Sequence, residues 1–163
     1  MTSESGDKSR DTGLIRVRPL VAADFAAASE LLAELGRPRV APENQDLART
    51  TFERHLAAAE TASLVAEIDG RLVGLLSLHI RERLSQPAPE AWIPDFIVTE
   101  AEHGRGASQA LLARAIELAR QRGCYRLVLE SHYHRQRAYR FYAREGFADV
   151  GKCFSMPLAP REG

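Results

Sequence analysis

Residues 99–112 read TEAEHGRGASQALL, and this stretch joins a short apolar run to an Ala- and Leu-rich helical pattern. Gly104 and Gly106 stand at the junction, with Arg105 between them. Glycine lets a backbone approach a ligand closely, and the first N–H groups of a helix have no partner within the helix. The pattern therefore predicts that residues 103–108 bind an anion at the start of a helix.

The segments around this junction predict a sheet covered by helices. Apolar runs flank Asp69-Gly70 and predict a hairpin over 63–80, whereas 84–90 has the composition of a loop. Proline cannot donate a hydrogen bond to a neighbouring strand, so Pro94 predicts an interruption in the strand 91–98. Further strands are predicted at 14–18, 125–130 and 151–158, and helices at 25–35, 48–59, 107–122 and 135–145.

The resulting element order is β-α-α-β-β-β-α-β-α-β. Its first half favours antiparallel pairing through the hairpin, and its second half contains one strand–helix–strand unit that should cross over right-handed into parallel pairing. The sequence thus predicts an α+β fold with a mixed, mostly antiparallel sheet flanked by helices.

Length and composition restrict the class of protein. The 163 residues predict one domain over 14–163, preceded by a polar, disordered tail over 1–13. Lys plus Arg equals Asp plus Glu at 22 each, so no net charge favours nucleic acid. No long apolar span predicts a membrane segment, and two cysteines without metal-ligand spacing favour a reduced cytoplasmic protein.

The glycines and histidines are also compatible in part with other ligands. A dinucleotide fingerprint would need a third glycine where Gln109 stands, and hairpin strands precede the site, so this remains a remote alternative. Residues 146–153 nearly match a phosphate-binding P-loop, but Cys153 replaces the hydroxyl and the strand–helix order is reversed. His132 and His134 alone are weak evidence for a metal, and no metal is expected.

Two motifs together carry a family resemblance. Residues 95–132, followed by RAYRFYAREGF at 137–147, resemble the acetyl-CoA-binding core of the GCN5-related N-acetyltransferase (GNAT) superfamily. The family loop Gln/Arg-x-x-Gly-x-Gly/Ala corresponds to 103–108, and its A-x-x-F-Y-x-x-x-G-F helix corresponds to 138–147. His103 and Ser108 depart from the family loop, and Arg135 stands where many members have Asn. The resemblance extends over roughly 14–158 and implies the same fold.

The resemblance implies acetyl-CoA as cosubstrate, with no metal, and acetyl transfer to a primary amine of a small molecule or peptide. Backbone N–H groups of 103–108 would bind the pyrophosphate, and the Val98 N–H would face the thioester oxygen. The implied cofactor-binding residues are Phe96, Ile97, Val98, His103, Gly104, Arg105, Gly106, Ala107, Ser108 and Arg135.

Tyr142 matches the tyrosine that protonates the departing thiolate in the family. Asp95 is favoured as general base, while Glu130, His132 and His134 stay open. The acceptor is expected near 36–52 and 81–91. A GNAT-fold module that binds acyl-CoA without efficient transfer is the alternative function, and dimerisation is a further expectation from the resemblance.

Overall fold

The computed structural model describes residues 13–132 and 134–158, so the predicted tail lies outside the described residues except for Gly13. Two compact units divide after Val128 and are described separately; the prediction of a single domain stays a prediction. The first unit contains β1 (Ile15–Pro19), α1 (Phe25–Glu34), α2 (Gln45–Ala57), β2 (Leu64–Ile68), β3 (Arg71–Leu76), β4 (His79–Arg83), β5 (Gln86–Ile93), β6 (Phe96–Val98), α3 (Ala107–Gln121) and most of β7 (Arg126–Leu129). The second contains α4 (Gln136–Arg144).

The strands form two sheets. Four pair antiparallel in the order β1-β2-β3-β6, and three follow the order β4-β5-β7. The β2-β3 hairpin turns at Asp69 and Gly70, whose φ angles of 51° and 75° are both positive, as a type I′ turn requires. The predicted mixed α+β class with helices beside antiparallel and mixed sheets is confirmed.

The sheets are separated where two neighbouring strands are interrupted opposite one another. Pro94 and Asp95 interrupt the strand predicted over 91–98, as expected, and Ser77 and Leu78 interrupt the neighbouring strand, which was not predicted. The Ser77 N–H donates to the Asp95 carbonyl at 2.9 Å, and the Asp95 N–H donates to Ser77 Oγ at 3.1 Å. Beyond this point β7 neighbours β5 but not β6, so the two sheets diverge.

The loop predicted over 84–90 is wrong, because most of it is strand. The turn is confined to Leu84 and Ser85, and β5 begins at Gln86. Pro87 and Pro89 suggested a loop because they lack N–H donors. The β4–β5 register shifts between Arg81 and Arg83. Regular hydrogen-bonded pairing is interrupted there, so the strand accommodates prolines that cannot donate to the ladder.

Helices cover both faces of the four-stranded sheet. Side chains of α1 and α2 pack on Val65, Leu75 and Ile97. Neighbouring strand residues point to opposite faces, and Gly74 accordingly faces α3. A Cβ atom at Gly74 would lie 2.9 Å from Leu111 Cδ1, so the missing side chain lets α3 approach the sheet closely.

In the second unit, α4 ends in a Schellman arrangement. The Phe147 N–H donates to the Tyr142 carbonyl at 2.9 Å and the Gly146 N–H to the Ala143 carbonyl at 3.2 Å, with Gly146 at φ 91°. The strand predicted over 151–158 is absent from the described residues, where the chain is exposed and irregular. Apolar alternation alone cannot make a strand without a hydrogen-bonded neighbour, and Pro157 cannot donate.

Candidate cofactor and acceptor site

The glycine loop opens directly into α3. Gly104 and Gly106 have φ angles of 78° and 94°, and Gly106 is the N-cap residue, with no side chain capping the helix. The first bond of the helix joins the Ala110 N–H to the Gly106 carbonyl at 3.0 Å. The N–H groups of Ala107 and Ser108 precede that bond, so they are donors available at the positive end of the helix dipole.

A buried carboxylate forms ion pairs with an arginine of this loop and with an arginine of β3. Glu102 is buried, and its carboxylate accepts from Arg105 at 2.5 Å and lies 3.5 Å from Arg71. The Arg105 guanidinium, which the sequence suggested as a phosphate contact, thus neutralises Glu102 in this arrangement. The loop's remaining attraction for an anion comes from its backbone.

His103 connects the loop to β6. Its Nε2 lies 2.7 Å from the Val98 carbonyl oxygen, which can only accept, so Nε2 carries the proton. Its Nδ1 is buried and has no hydrogen-bond partner among the described residues. His103, which departs from the family pattern, therefore fixes the loop relative to the end of β6.

The outer edge of β6 faces the divergence of the two sheets. The Asp95 carbonyl and the Thr99 N–H both bond to the β3 side, the latter to the Val73 carbonyl at 2.8 Å. Antiparallel pairing alternates along a strand, so Phe96 and Val98 direct their main-chain groups away from β3. Ile97 instead pairs with β3 and buries its side chain.

Asp95 lies at the interruption between β5 and β6, and both of its carboxylate oxygens accept hydrogen bonds. Oδ1 accepts from Arg37 Nε at 2.8 Å, and Oδ2 accepts from the Ser77 hydroxyl at 3.1 Å. Arg37 also donates to the Pro94 carbonyl at 2.9 Å. The carboxylate is thereby oriented at the point where the sheets part.

A row of rings extends from α2 across the β4–β5 hairpin. The His55 and His79 ring centroids are 5.0 Å apart, and those of His79 and Trp92 are 5.6 Å apart. His55 Nε2 lies 2.7 Å from Ser63 Oγ. Burial lowers the pKa of His55, the neighbouring His79 lowers it further, and Asp95 opposes the shift. Sequence reasoning missed this row because the loop predicted over 84–90 separates the two predicted strands that hold His79 and Trp92, and nothing local pairs them.

Three arginines surround one buried carboxylate at the far end of this hairpin. Glu90 is 0% exposed and accepts from Arg81 Nε at 2.8 Å and Arg126 Nε at 2.5 Å, with Arg83 Nη1 at 3.3 Å. The Tyr125 hydroxyl lies 3.4 Å from the same carboxylate. Burial raises the pKa of Glu90, but the hydrogen bonds from Arg126 and Arg81 outweigh it, so the pKa is lowered overall. We call these three arginines with Glu90 the arginine cluster.

Tyr142 is half-buried on α4. Its ring makes edge contacts with Phe141 and Phe147, at centroid distances of 5.6 and 5.7 Å. Burial raises the pKa of Tyr142 and Arg135 opposes the shift, so the phenol is protonated at neutral pH. Arg135 occupies the N-cap position of α4.

Residues 13–132 and 134–158 hold no metal cluster and no membrane-spanning helix. No three His, Cys, Asp or Glu side chains there come together as a metal site, and no helix there is long and apolar enough to cross a membrane. Cys124 and Cys153 are free thiols, and burial raises the pKa of Cys124.

Comparison with known proteins gives one consistent family. The model of the acetyltransferase (GNAT) family matches residues 28–147. A glucosamine 6-phosphate N-acetyltransferase from Trypanosoma brucei brucei is 29% identical over 82% of this chain and 88% of its own length. An aminoalkylphosphonate N-acetyltransferase from Salmonella typhimurium is 35% identical over 68% of this chain and 71% of its own length. The crystal structure of the Arabidopsis thaliana glucosamine-6-phosphate N-acetyltransferase superposes with a TM-score of 0.77 at 18% identity, covering 90% of this chain and 99% of that one.

Proposed function

Because the chain belongs to the GNAT acetyltransferase family, we propose that it transfers the acetyl group of acetyl-CoA to a primary amine of a small molecule or peptide. One observation supports this proposal most directly. Along a single segment, the edge of β6 that faces away from β3 is followed by His103, which bonds to Val98, and then by the glycine loop at the start of α3.

The pyrophosphate of acetyl-CoA would be held by main-chain N–H groups within 103–108, chiefly those of Gly104 and 106–108. The His103 and Arg105 N–H groups already donate to the Glu100 and Glu102 carbonyls. Gly104 supports this, because a Cβ atom there would meet nothing within 4 Å and the loop is therefore open on that side. The dipole of α3 adds attraction for the negative charge. In this proposal Arg105 contributes by holding the loop's shape through Glu102.

The pantetheine arm would lie along β6, as when a peptide adds to a sheet edge. Phe96 and the Val98 N–H are directed away from β3 there, whereas the Val98 carbonyl is bound by His103. The Val98 N–H would stabilise the oxyanion that forms when the amine attacks the thioester carbon. The amine nitrogen then forms the amide bond, the carbon–sulfur bond breaks, and the sulfur leaves as a thiolate.

Two proton transfers complete the reaction. We assign the acid to Tyr142, whose raised pKa keeps its proton until the thiolate accepts it. We assign the base to Asp95, acting through a water molecule because Arg37 and Ser77 occupy its oxygens. The support is its position at the break immediately before β6.

The acceptor is proposed to be a small primary amine, with a peptide N-terminus as the other member of the class. The two relatives named above act on an amino sugar phosphate and on aminoalkylphosphonates. Both are compact primary amines, which favours the small-molecule acceptor.

Calorimetry with CoA tests the cosubstrate site. Gly104→Leu places a side chain over the loop, and we expect about a 10-fold or greater loss of affinity, since one lost charge-assisted hydrogen bond is worth that much. Gly123→Leu is the matched control, because Gly123 at the other end of α3 has φ 71° and equally open surroundings. Equal affinities in the two variants would remove the loop from the site.

Thiol release from acetyl-CoA with a panel of amines tests catalysis. Tyr142→Phe should lower kcat by about 100-fold or more, as loss of a general acid does. Tyr139→Phe, on the same helix, is the control. CoA binding without turnover of any amine would favour the non-catalytic module, and unchanged turnover in Tyr142→Phe would remove Tyr142 as the acid.

A further inference from the structure

We propose that the arginine cluster binds a phosphate or phosphonate group on the acceptor, so that the acceptor is an anionic amine. This inference rests on the proposed acetyl transfer and adds the substrate class. The recognising residues would be Arg81, Arg83 and Arg126.

The charge of the cluster exceeds what its structure needs. Three guanidinium groups face one carboxylate, which leaves a formal charge of +2. Glu90 is fully buried, whereas the three arginine side chains are 41%, 43% and 44% exposed. Each guanidinium has five N–H donors, and two carboxylate oxygens cannot satisfy fifteen. The donors that Glu90 does not bind lie at the solvent side, where they are accessible to a second anion.

Glu90 also fixes the guanidinium groups in place. Arg81 Nε and Arg126 Nε are bound to opposite oxygens of the same rigid carboxylate. The Arg81 guanidinium is further held 4.7 Å from the centroid of the Trp92 ring. Pre-positioned guanidinium groups lose less entropy when they bind, and their planar forks match phosphate oxygens.

The cluster lies on the sheet face that leads to Asp95. Directly paired residues of an antiparallel ladder share a face, and the pairs are Arg81 with Glu90 and His79 with Trp92. Glu90, at the centre of the cluster, precedes Asp95 by five residues, which corresponds to about 17 Å along an extended chain. The Arg81 guanidinium extends from it to the Trp92 ring, which is three residues, or about 10 Å, from Asp95. An acceptor whose anion is bound at the Arg81 end would therefore carry its amine several bonds away from that anion.

A dianion matches this charge better than a carboxylate does. At neutral pH a phosphate monoester carries about 1.5 to 2 negative charges and a phosphonate carries between one and two, and each has three acceptor oxygens. The Tyr125 hydroxyl already donates to Glu90 at 3.4 Å, so the arginines are the donors proposed for the anion.

Trp92 gives a readout that does not depend on activity. It is the one tryptophan of the sequence and lies against Arg81. Titration with methylphosphonate, against sodium chloride at equal ionic strength, should give a saturable change in tryptophan fluorescence. Arg83→Gln should weaken binding about 10-fold, because one charge-assisted contact is lost. Arg83 is the variant of choice because its contacts with Glu90 are the longest, at 3.3 and 3.4 Å.

Arg114→Gln is the matched control, since Arg114 has similar exposure, 42%, and a single ion pair on α3. No saturable change, or the same affinity in wild type and Arg83→Gln, would overturn the proposal. The phosphates of CoA are the other source of this chemistry, so the titration is repeated with saturating CoA. Loss of the methylphosphonate signal would assign the cluster to the cosubstrate and refute an acceptor subsite.

Turnover separates this inference from the proposed function. Glucosamine 6-phosphate should have a higher kcat/KM than glucosamine, and Arg83→Gln should reduce that ratio about 10-fold while Arg114→Gln leaves it unchanged. Acetylation of both amines with equal kcat/KM would refute the anion subsite and leave acetyl transfer intact. Methylphosphonate binding without acetylation of any amine would refute acetyl transfer and leave the anion site intact.

Discussion

Glu90→Gln removes the one negative charge at the centre of the arginine cluster while keeping the size of the side chain. The wild-type carboxylate accepts two short charge-assisted bonds, from Arg81 and Arg126. An amide keeps one acceptor oxygen and turns an NH₂ group towards the other guanidinium. One charge-assisted bond is lost, at about 1.5–3 kcal/mol, and the net charge of the cluster rises to +3. We expect the free energy of unfolding to fall by about 2–4 kcal/mol.

Thermal unfolding measures this loss. For a chain of this length each kcal/mol shifts Tm by about 2–4 °C, so the variant should melt about 4–16 °C below wild type. Glu117→Gln is the control, because Glu117 is exposed and its ion pair with Arg114 contributes about 0–1 kcal/mol. A Glu90→Gln midpoint no lower than that of Glu117→Gln would show that the cluster does not depend on a buried charge.

The pH dependence provides a second check. The folded protein lowers the pKa of Glu90 below its ordinary value of 4.5, so the folded state binds this proton less readily than the unfolded state. The contribution of Glu90 is therefore present above pH 4.5 and is lost as the pH falls through the folded-state pKa. The stability difference between wild type and Glu90→Gln should shrink over that range.

Three further changes test the fold and its charges. Gly74→Ala should cost about 1–3 kcal/mol in urea unfolding, because its Cβ would clash with α3, whereas Gly151→Ala meets nothing and should be neutral; equal midpoints would contradict the close approach of α3. His55→Gln should make the free energy of unfolding depend less on pH between pH 5 and 7.5, because the lowered pKa of His55 makes the wild type lose stability as the pH falls below 6.5. Identical pH profiles of the two proteins in denaturant titrations would exclude this role of His55. Asp24→Asn should cost about 1–3 kcal/mol at pH 7, and less as the pH falls below 3.8, because the hydrogen bond from Arg18 lowers the pKa of Asp24; a pH-independent difference in chemical unfolding would count against that pairing.

Features set by neighbouring residues were predictable from the sequence. The Asp69-Gly70 turn and the positive φ at Gly104 and Gly106 follow from residue types that tolerate such angles, since glycine has no Cβ atom and aspartate is short and polar. The interruption at Pro94 follows from its missing N–H. In each case the information lies within a few residues of the feature itself.

The β4–β5 hairpin could not be predicted in this way. Pro87 and Pro89 indicated a loop, and local propensity gave no reason to overrule them. The hairpin is stabilised by Glu90, whose arginine partners include Arg126, 36 residues along the chain. Such pairing depends on β7 lying beside β5, which no local pattern specifies.

The candidate site divides along the same line. The loop and the motif of Tyr142 are contiguous in sequence and were found there. The charged partner of Asp95 is Arg37, which is 58 residues away, and the ring row joins α2 to the hairpin. Side chains brought together from separate elements cannot be grouped before the topology is known.

The proposed cosubstrate contacts are made by the backbone, whereas the proposed acceptor contacts are made by side chains. Main-chain groups of β6 and 103–108 are the proposed cosubstrate contacts, while the His103 and Arg105 side chains bond within the protein, to Val98 and Glu102. Substitutions around those contacts can be tolerated as long as the backbone keeps its shape. The acceptor, in contrast, would meet side chains of the β4–β5 hairpin, where a single replacement changes charge directly. Exchange of hairpin residues should therefore change which amine is used without changing CoA affinity, and a parallel loss of CoA binding in Arg83→Gln would contradict this separation.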